Sequence, residues 1–192
     1  MVKFISILIN NSHSKFTSNM KTSVILITMK VIIWVVFIGL CIKAGTVIFS
    51  GIISLVVNPA ASNIPYFGLN LTGLQELSSV HYVILWGIIT AIMVLKAGIF
   101  YKLIKLFSNL DINQPFNQNA SDIITSISYL TVTIGVLSAI GSGYGQYLSE
   151  LFVTVNYGWG TAEYLFMAGV IFVIAQVFKR GIELQSDNEL TI

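Results

Sequence analysis

The stretch "VIIWVVFIGLCIKAGTVIFSGIISLVV" (residues 31–57) decides the fold class. It contains one charged residue, Lys43, in a run longer than the roughly 20 apolar residues with which a helix crosses about 30 Å of hydrocarbon. A helix that is longer than the hydrocarbon tilts or extends past the bilayer. The stretch therefore predicts a transmembrane helix.

Three further apolar runs approach the same length, at residues 80–101, 123–144 and 162–178. Of the 192 residues, 55% are hydrophobic and 9% are charged, whereas a soluble domain carries about 25% charged residues. We therefore predict an all-α fold, a single integral membrane four-helix bundle over residues 1–192. The opening "MVKFISILIN" has too short an apolar core for a signal peptide, which predicts a cytoplasmic or interfacial leader before the first span.

Basic residues lie on one side of the predicted spans. The loops at residues 58–79 and 145–161 contain no lysine or arginine, and nine of the ten basic residues fall on the opposite side: Lys3, Lys15, Lys21, Lys30, Lys96, Lys102, Lys105, Lys179 and Arg180. Cytoplasmic loops carry such an excess. We therefore predict a multi-pass cell membrane protein (inner or cytoplasmic membrane) with both termini in the cytoplasm. An interfacial aromatic belt is expected on the other face, from Tyr66, Tyr82, Trp86, Tyr147, Tyr157 and Trp159.

The two longer loops have different character. Residues 58–79 mix two prolines with apolar side chains, which predicts a loop that lies on the membrane surface or folds over the bundle. The link "NLDINQPFNQNAS" reads as a turn, with Asn117 or Asn119 as the cap of the third span.

Lys43 and Glu163 are the charges of most interest. Lys43 follows Lys30 by 13 residues, about 19 Å along a helix, and Glu163 precedes Lys179 by 16 residues, about 24 Å. Charges at such depth usually face the bundle interior or a partner charge, which predicts an intramembrane Lys43–Glu163 pair, with Glu150 or Glu76 as substitutes. Two interpretations stay open: a structural or snorkelling lysine, and a role in ligand or proton binding by a small-solute transporter or channel-like protein.

Two other patterns favour structural roles. Gly135, Ala139 and Gly143 have the small-xxx-small spacing that lets helices pack closely; the alternative is a polar path of Ser126, Thr133 and Ser138. The lysines Lys96, Lys102 and Lys105 are expected at the inner end of the second span, where they set the orientation or contact anionic lipid or an acidic partner.

The sequence offers no pattern that indicates catalysis. Cys41 is the sole cysteine, and the two histidines are far apart, so no metal-ligand spacing occurs. A phosphate loop, a nucleophile elbow and paired catalytic carboxylates are also missing. We expect neither an enzyme, nor a metal or other cofactor, nor direct nucleic-acid binding.

The segments "PFNQNASDIITSISYL" and "EYLFMAGVIFVIAQVFKRGIELQSDNELTI" resemble an uncharacterised family of small bacterial membrane proteins, domain of unknown function 2975. The resemblance implies four spans and an inner-membrane protein. It also implies a possible partner, because members are often encoded beside a small helix-turn-helix regulator. It carries over no catalytic residue.

The tail after Phe178 combines charged and apolar residues, and we predict a helix through about Gln185, with a strand or hairpin turning at Ser186–Asn188 as the alternative. We predict a regulatory or sensory membrane protein that docks a small helix-turn-helix regulator, with transport as the alternative and a structural subunit of a larger complex as a third option. The candidate docking residues are Pro115, Phe116, Arg180, Glu183, Asn188 and Glu189.

Overall fold

The computed structural model describes residues 2–64, 69–109, 117–151 and 157–189, with side chains for 24–64, 69–109, 117–150 and 157–185. Four long helices dominate. In chain order the elements are α1 (Val2–Val56), a 3₁₀ turn (Pro59–Ser62), strands β1 (Asn63–Ile64) and β2 (Leu69–Asn70), the short helix α2 (Thr72–Leu77), α3 (Ser79–Ser108), α4 (Gln118–Leu151) and α5 (Thr161–Glu189).

The four predicted spans are confirmed as helices long and apolar enough to cross a membrane. These segments are Val24–Val56, Ser79–Ser108, Gln118–Glu150 and Thr161–Gln185. Each of these segments extends past its predicted apolar run at one end or at both. The reason is that a helix continues through polar residues once its backbone hydrogen bonds are established. The predicted helix through about Gln185 is confirmed, since α5 continues to Glu189 without a hairpin. The predicted leader is part of α1, which begins at Val2, and its cytoplasmic or interfacial location stays a prediction.

The helices stand in a row with the order α1, α3, α4, α5. Phe37 and Val47 of α1 contact Tyr101 and Trp86 of α3 respectively, so these two helices run antiparallel. In the most apolar stretch of α4, 44% of the residues are buried, whereas in that of α1 the share is 0%. These shares make α4 a central helix and α1 an edge helix. Within the described ranges, α1 and α5 make no comparable contact with each other, so the row stays open along one side.

Helix starts follow local capping chemistry. The backbone N–H of Ala120 donates to the side-chain oxygen of Asn117 at 2.8 Å, so Asn117, of the two predicted candidates, caps α4. Gly160 precedes α5 with φ 60°, a left-handed conformation that glycine adopts without strain. Glu163 lies in the first turn of α5, where the helix dipole favours a carboxylate.

The segment from the 3₁₀ turn through α2 (residues 59–77), here called the loop cap, folds over one end of the bundle. Leu69, Leu71 and Leu74 are at most 2% exposed and belong to the cluster that includes Val47 and Tyr82. The cap is also fixed by polar contacts, since Ser54 of α1 donates to the side-chain carbonyl of Gln75 and the Gln75 amide donates to the Ser54 carbonyl. The prediction of a loop folded over the bundle is confirmed; Tyr66 and Phe67 lie outside the described residues.

The predicted aromatic belt stays a prediction, because its described members differ in burial: Tyr82 is buried, Trp86, Tyr157 and Trp159 are half-buried, and Tyr147 is exposed. Tyr82 is 1% exposed, the indole N–H of Trp86 donates to the Val47 carbonyl at 2.9 Å, and the rings of Tyr157 and Trp159 meet edge-on with centroids 4.7 Å apart. Two of these rings pack against glycines, Trp86 against Gly51 and Trp159 against Gly141. Burial raises the pKa of the Tyr157 hydroxyl to about 12, so it stays protonated.

Candidate functional site

A cavity of about 810 Å³ lies between the helices, within the range of about 300–1,000 Å³ that is typical of ligand pockets. All four long helices contribute to its wall. The lining residues are Val36 and Leu40 of α1; Lys96, Ile99, Phe100, Leu103, Leu106 and Phe107 of α3; Ile124, Ile127 and Thr131 of α4; and Tyr164, Met167, Ile171, Ile174 and Phe178 of α5. The wall is therefore mostly apolar, and none of the described residues that line it is acidic.

The cavity has three polar side chains, Lys96, Thr131 and Tyr164. The Thr131 hydroxyl donates to the carbonyl of Ile127 in its own helix at 2.8 Å, so its proton is already used. The Lys96 ammonium lies 4.8 Å from the centroid of the Tyr164 ring, a cation–π contact. Lys96 and Tyr164 therefore form the polar end of an apolar cavity.

The position of Lys96 corrects the sequence interpretation, which grouped it with Lys102 and Lys105 at the end of the second span. Lys96 precedes the last residue of α3, Ser108, by 12 residues, or about 18 Å. Side chains of a helix tilt toward its N-terminus, so Lys96 extends away from the end of α3 that carries Lys105. The residue spacing between Lys96 and Lys102, converted into a distance along the helix, would have indicated from the sequence that Lys96 does not lie at the end of the span.

The open side of the helix row gives the cavity a lateral boundary between α1 and α5. Val36 and Leu40 lie on one edge and Met167 and Ile171 on the other. In the described part of the chain the two helices make no comparable contact with each other.

Lys43 is half-buried in α1 and takes part in an interaction within the protein. Glu163 is exposed, as are Glu76 and Glu150. The structure shows an ion pair between Arg180 and Glu183. The Lys43–Glu163 pair stays a prediction.

A double-mutant cycle tests that pair. If the two charges interact, we expect Lys43→Met or Glu163→Gln alone to lower the thermal stability of the purified protein in detergent, because each leaves one charge unpaired. The double variant should recover part of the loss. The measurement is thermal unfolding of all four proteins, and strictly additive losses would show that the charges do not interact.

The candidate docking residues are partly described. Pro115 and Phe116 lie outside the described residues, as do the side chains of Asn188 and Glu189. Arg180 and Glu183 are one helical turn apart on α5, with a nitrogen–oxygen distance of 2.7 Å and side chains 73% and 48% exposed. Such an exposed pair adds little stability.

Close packing on α4 involves a different set of small residues from the predicted one. Gly135 lies against Leu165 as predicted, whereas Ala139 and Gly143 are exposed. Gly141 supplies the other close approach, with the Trp159 ring where a side chain would stand. Only one face of α4 packs against α5. Of the three predicted small residues, Gly135 lies on that face, and Ala139 and Gly143 do not.

The three residues of the predicted polar path do not form one continuous polar surface. Thr133 is exposed and donates to the Tyr129 carbonyl of its own helix at 2.9 Å, and Ser126 is half-buried. Ser138 is fully buried, and its hydroxyl has no hydrogen-bond partner within the described ranges. The same ranges contain no group of three or more His, Cys, Asp or Glu residues that could hold a metal ion.

Comparison with known protein families gives one match. Residues 54–192 match the family described as "Protein of unknown function (DUF2975)", which covers 139 of the 192 residues (192 − 54 + 1 = 139). The chain belongs to this family, and the resemblance seen in the sequence is confirmed. No curated protein and no solved structure matches the chain.

Proposed function

We propose that this member of the family is a regulatory protein of the cell membrane that docks a small cytoplasmic helix-turn-helix regulator through the end of α5. The observation that carries the proposal is the length of α5. The helix continues for 11 residues after Phe178, from Lys179 to Glu189, or about 16 Å beyond the apolar stretch. A tail that only fixed topology would need the basic pair Lys179 and Arg180 and no ordered helix after it.

The proposed orientation has both termini in the cytoplasm. With Lys96 and Lys43 inside helices that span, eight of the ten basic residues remain at one end of the bundle: Lys3, Lys15, Lys21, Lys30, Lys102, Lys105, Lys179 and Arg180. An excess of this kind marks the cytoplasmic side. The end of α5 is then accessible to soluble cytoplasmic proteins.

The chemistry of this helix end suits a basic partner. It carries Glu183, Asp187 and Glu189, together with Leu184, which is 53% exposed, and the half-buried Ile182. Proteins that bind DNA carry a basic surface for the phosphates, and a helix that combines acidic and apolar residues can occupy a groove on such a surface. Docking would then compete with DNA for the same surface, so the membrane protein would hold its regulator in an inactive state.

A second candidate function is transport of a small solute. The half-buried charge of Lys43 inside the Val24–Val56 span favours it, because intramembrane charges often mark ion or substrate pathways. Under this alternative, Lys43→Met would abolish a solute flux measured in proteoliposomes while the end of α5 would be dispensable.

Truncation of the tail tests the docking proposal. We expect deletion of residues 186–192, or the substitution Leu184→Ser, to abolish co-purification of a small helix-turn-helix protein from mildly solubilised native membranes, because each removes part of the contact surface. Both variants should accumulate and melt as the wild type does. The control is Asn119→Ser, an exposed position at the same end of the bundle, which should retain the partner.

Two results would overturn the proposal. If the truncated protein fails to accumulate, the end of α5 is a structural element. If the folded Leu184→Ser and truncated proteins retain the same bound proteins as Asn119→Ser, then the partner docks elsewhere.

A further inference from the structure

We propose that the cavity between α1, α3, α4 and α5 binds one single-chain amphiphile with an anionic head, a long-chain fatty acid, with its carboxylate at Lys96. The proposal goes beyond the docking function and does not depend on it. It commits to this ligand class because of the charge, the length and the depth of the cavity.

No described lining residue carries a negative charge that offsets Lys96. Lys96 contacts the Tyr164 ring, and the described lining residues include no acidic side chain. A cation in an apolar environment is costly unless an anion offsets it. A carboxylate at this position would supply that anion, and the Tyr164 hydroxyl offers a nearby donor.

The length of the cavity matches one acyl chain. On α3 the lining runs from Lys96 to Phe107, which follows it by 11 residues, or about 16 Å. A lipid acyl chain spans one leaflet, about half of the 30 Å hydrocarbon core. Beyond Lys96 and Tyr164 the lining along α3 and α5 is wholly apolar, including Phe100, Leu103 and Ile171, as a hydrocarbon tail requires.

The depth of Lys96 favours a single-chain ligand over a phospholipid. Lys96 precedes Lys102, at the basic end of α3, by six residues, or about 9 Å, whereas the head group of a phospholipid stays in the interfacial layer. A fatty acid has no such bulky head, and it can enter sideways between α1 and α5.

Native mass spectrometry of the full chain, delipidated in detergent, tests the proposal with palmitate as the probe. We expect the wild type to bind one palmitate and to bind hexadecanol, which has the same chain length and no charge, at least tenfold more weakly. Lys96→Met should weaken palmitate binding at least tenfold, while Lys96→Arg should retain it. The matched control is Lys102→Met, which removes a lysine of α3 that does not line the cavity.

A second variant locates the ligand. Ile171→Trp fills the cavity without touching the charge, so it should abolish palmitate binding, with circular dichroism verifying that the variant is folded. The proposal is wrong if folded Ile171→Trp binds palmitate normally, if Lys96→Met binds it as the wild type does, or if hexadecanol binds equally well. It is also wrong if a diacyl phosphatidylglycerol displaces palmitate with a higher affinity that depends on Lys96, since the site would then be a phospholipid site.

Discussion

Replacement of Gly51 by leucine is expected to destabilise the packing of α1 on α3 by about 3 kcal/mol, at the upper end of the usual cost of overpacking. A Cβ atom at this position would stand 2.0 Å from the indole nitrogen of Trp86. The ring would have to move, and its hydrogen bond to the Val47 carbonyl would break. The measurement is thermal unfolding in detergent, followed by tryptophan fluorescence.

The control for this substitution is Gly45→Leu. Gly45 lies on the same helix, is exposed, and has no atom within 4 Å of the added Cβ. This variant should melt within a few degrees of the wild type, because leucine favours a helix over glycine by roughly 1 kcal/mol. Equal losses at the two positions would mean that Trp86 does not pack on Gly51.

Truncation of Leu74 to alanine is expected to release the loop cap at a cost of about 3 kcal/mol, since burial in a packed core makes such truncations cost 2–5 kcal/mol. Leu74 is 1% exposed and belongs to the same cluster as Val47, Tyr82 and Leu85. Hydrogen exchange should show faster exchange of the α2 amides, and thermal unfolding should shift downward.

Leu77→Ala provides the matched comparison. Leu77 ends the same short helix but is 49% exposed, so the same truncation should leave both measurements nearly unchanged. If Leu77→Ala accelerates exchange as much as Leu74→Ala, the cap is held by its own helix and not by the core beneath it.

The four spans could be predicted from apolar runs because a chain in lipid must satisfy its backbone hydrogen bonds internally, and a long apolar segment does so as a helix. The helix ends could not. The residues near Glu189 are polar enough to suit a loop or a helix, and those near Val2 form an apolar run too short to identify a span, so local composition does not fix either end. Asn117 was predictable as a cap because capping depends on neighbouring residues alone.

The cavity could not be predicted because it depends on contacts between distant segments. In the sequence Lys96 is one of three lysines spaced closely along α3, and only the packing of α5 brings Tyr164 to it. The close approach of Trp159 to Gly141 likewise depends on the path of the chain before α5. The residue spacing within α4 correctly predicted close packing at Gly135. Spacing alone, however, cannot indicate which face of α4 the neighbouring helix covers.

Cysteine labelling in intact cells tests most directly the central claim, that the loop cap lies outside the cell and the end of α5 lies in the cytoplasm. The background carries Cys41→Ser, which removes the native cysteine. A membrane-impermeant maleimide should label Asn63→Cys, an exposed position of the loop cap, in intact cells. It should label Ser186→Cys only after the membrane is opened. Labelling of Ser186→Cys in intact cells would contradict the account, because the docking surface would then face away from every cytoplasmic regulator.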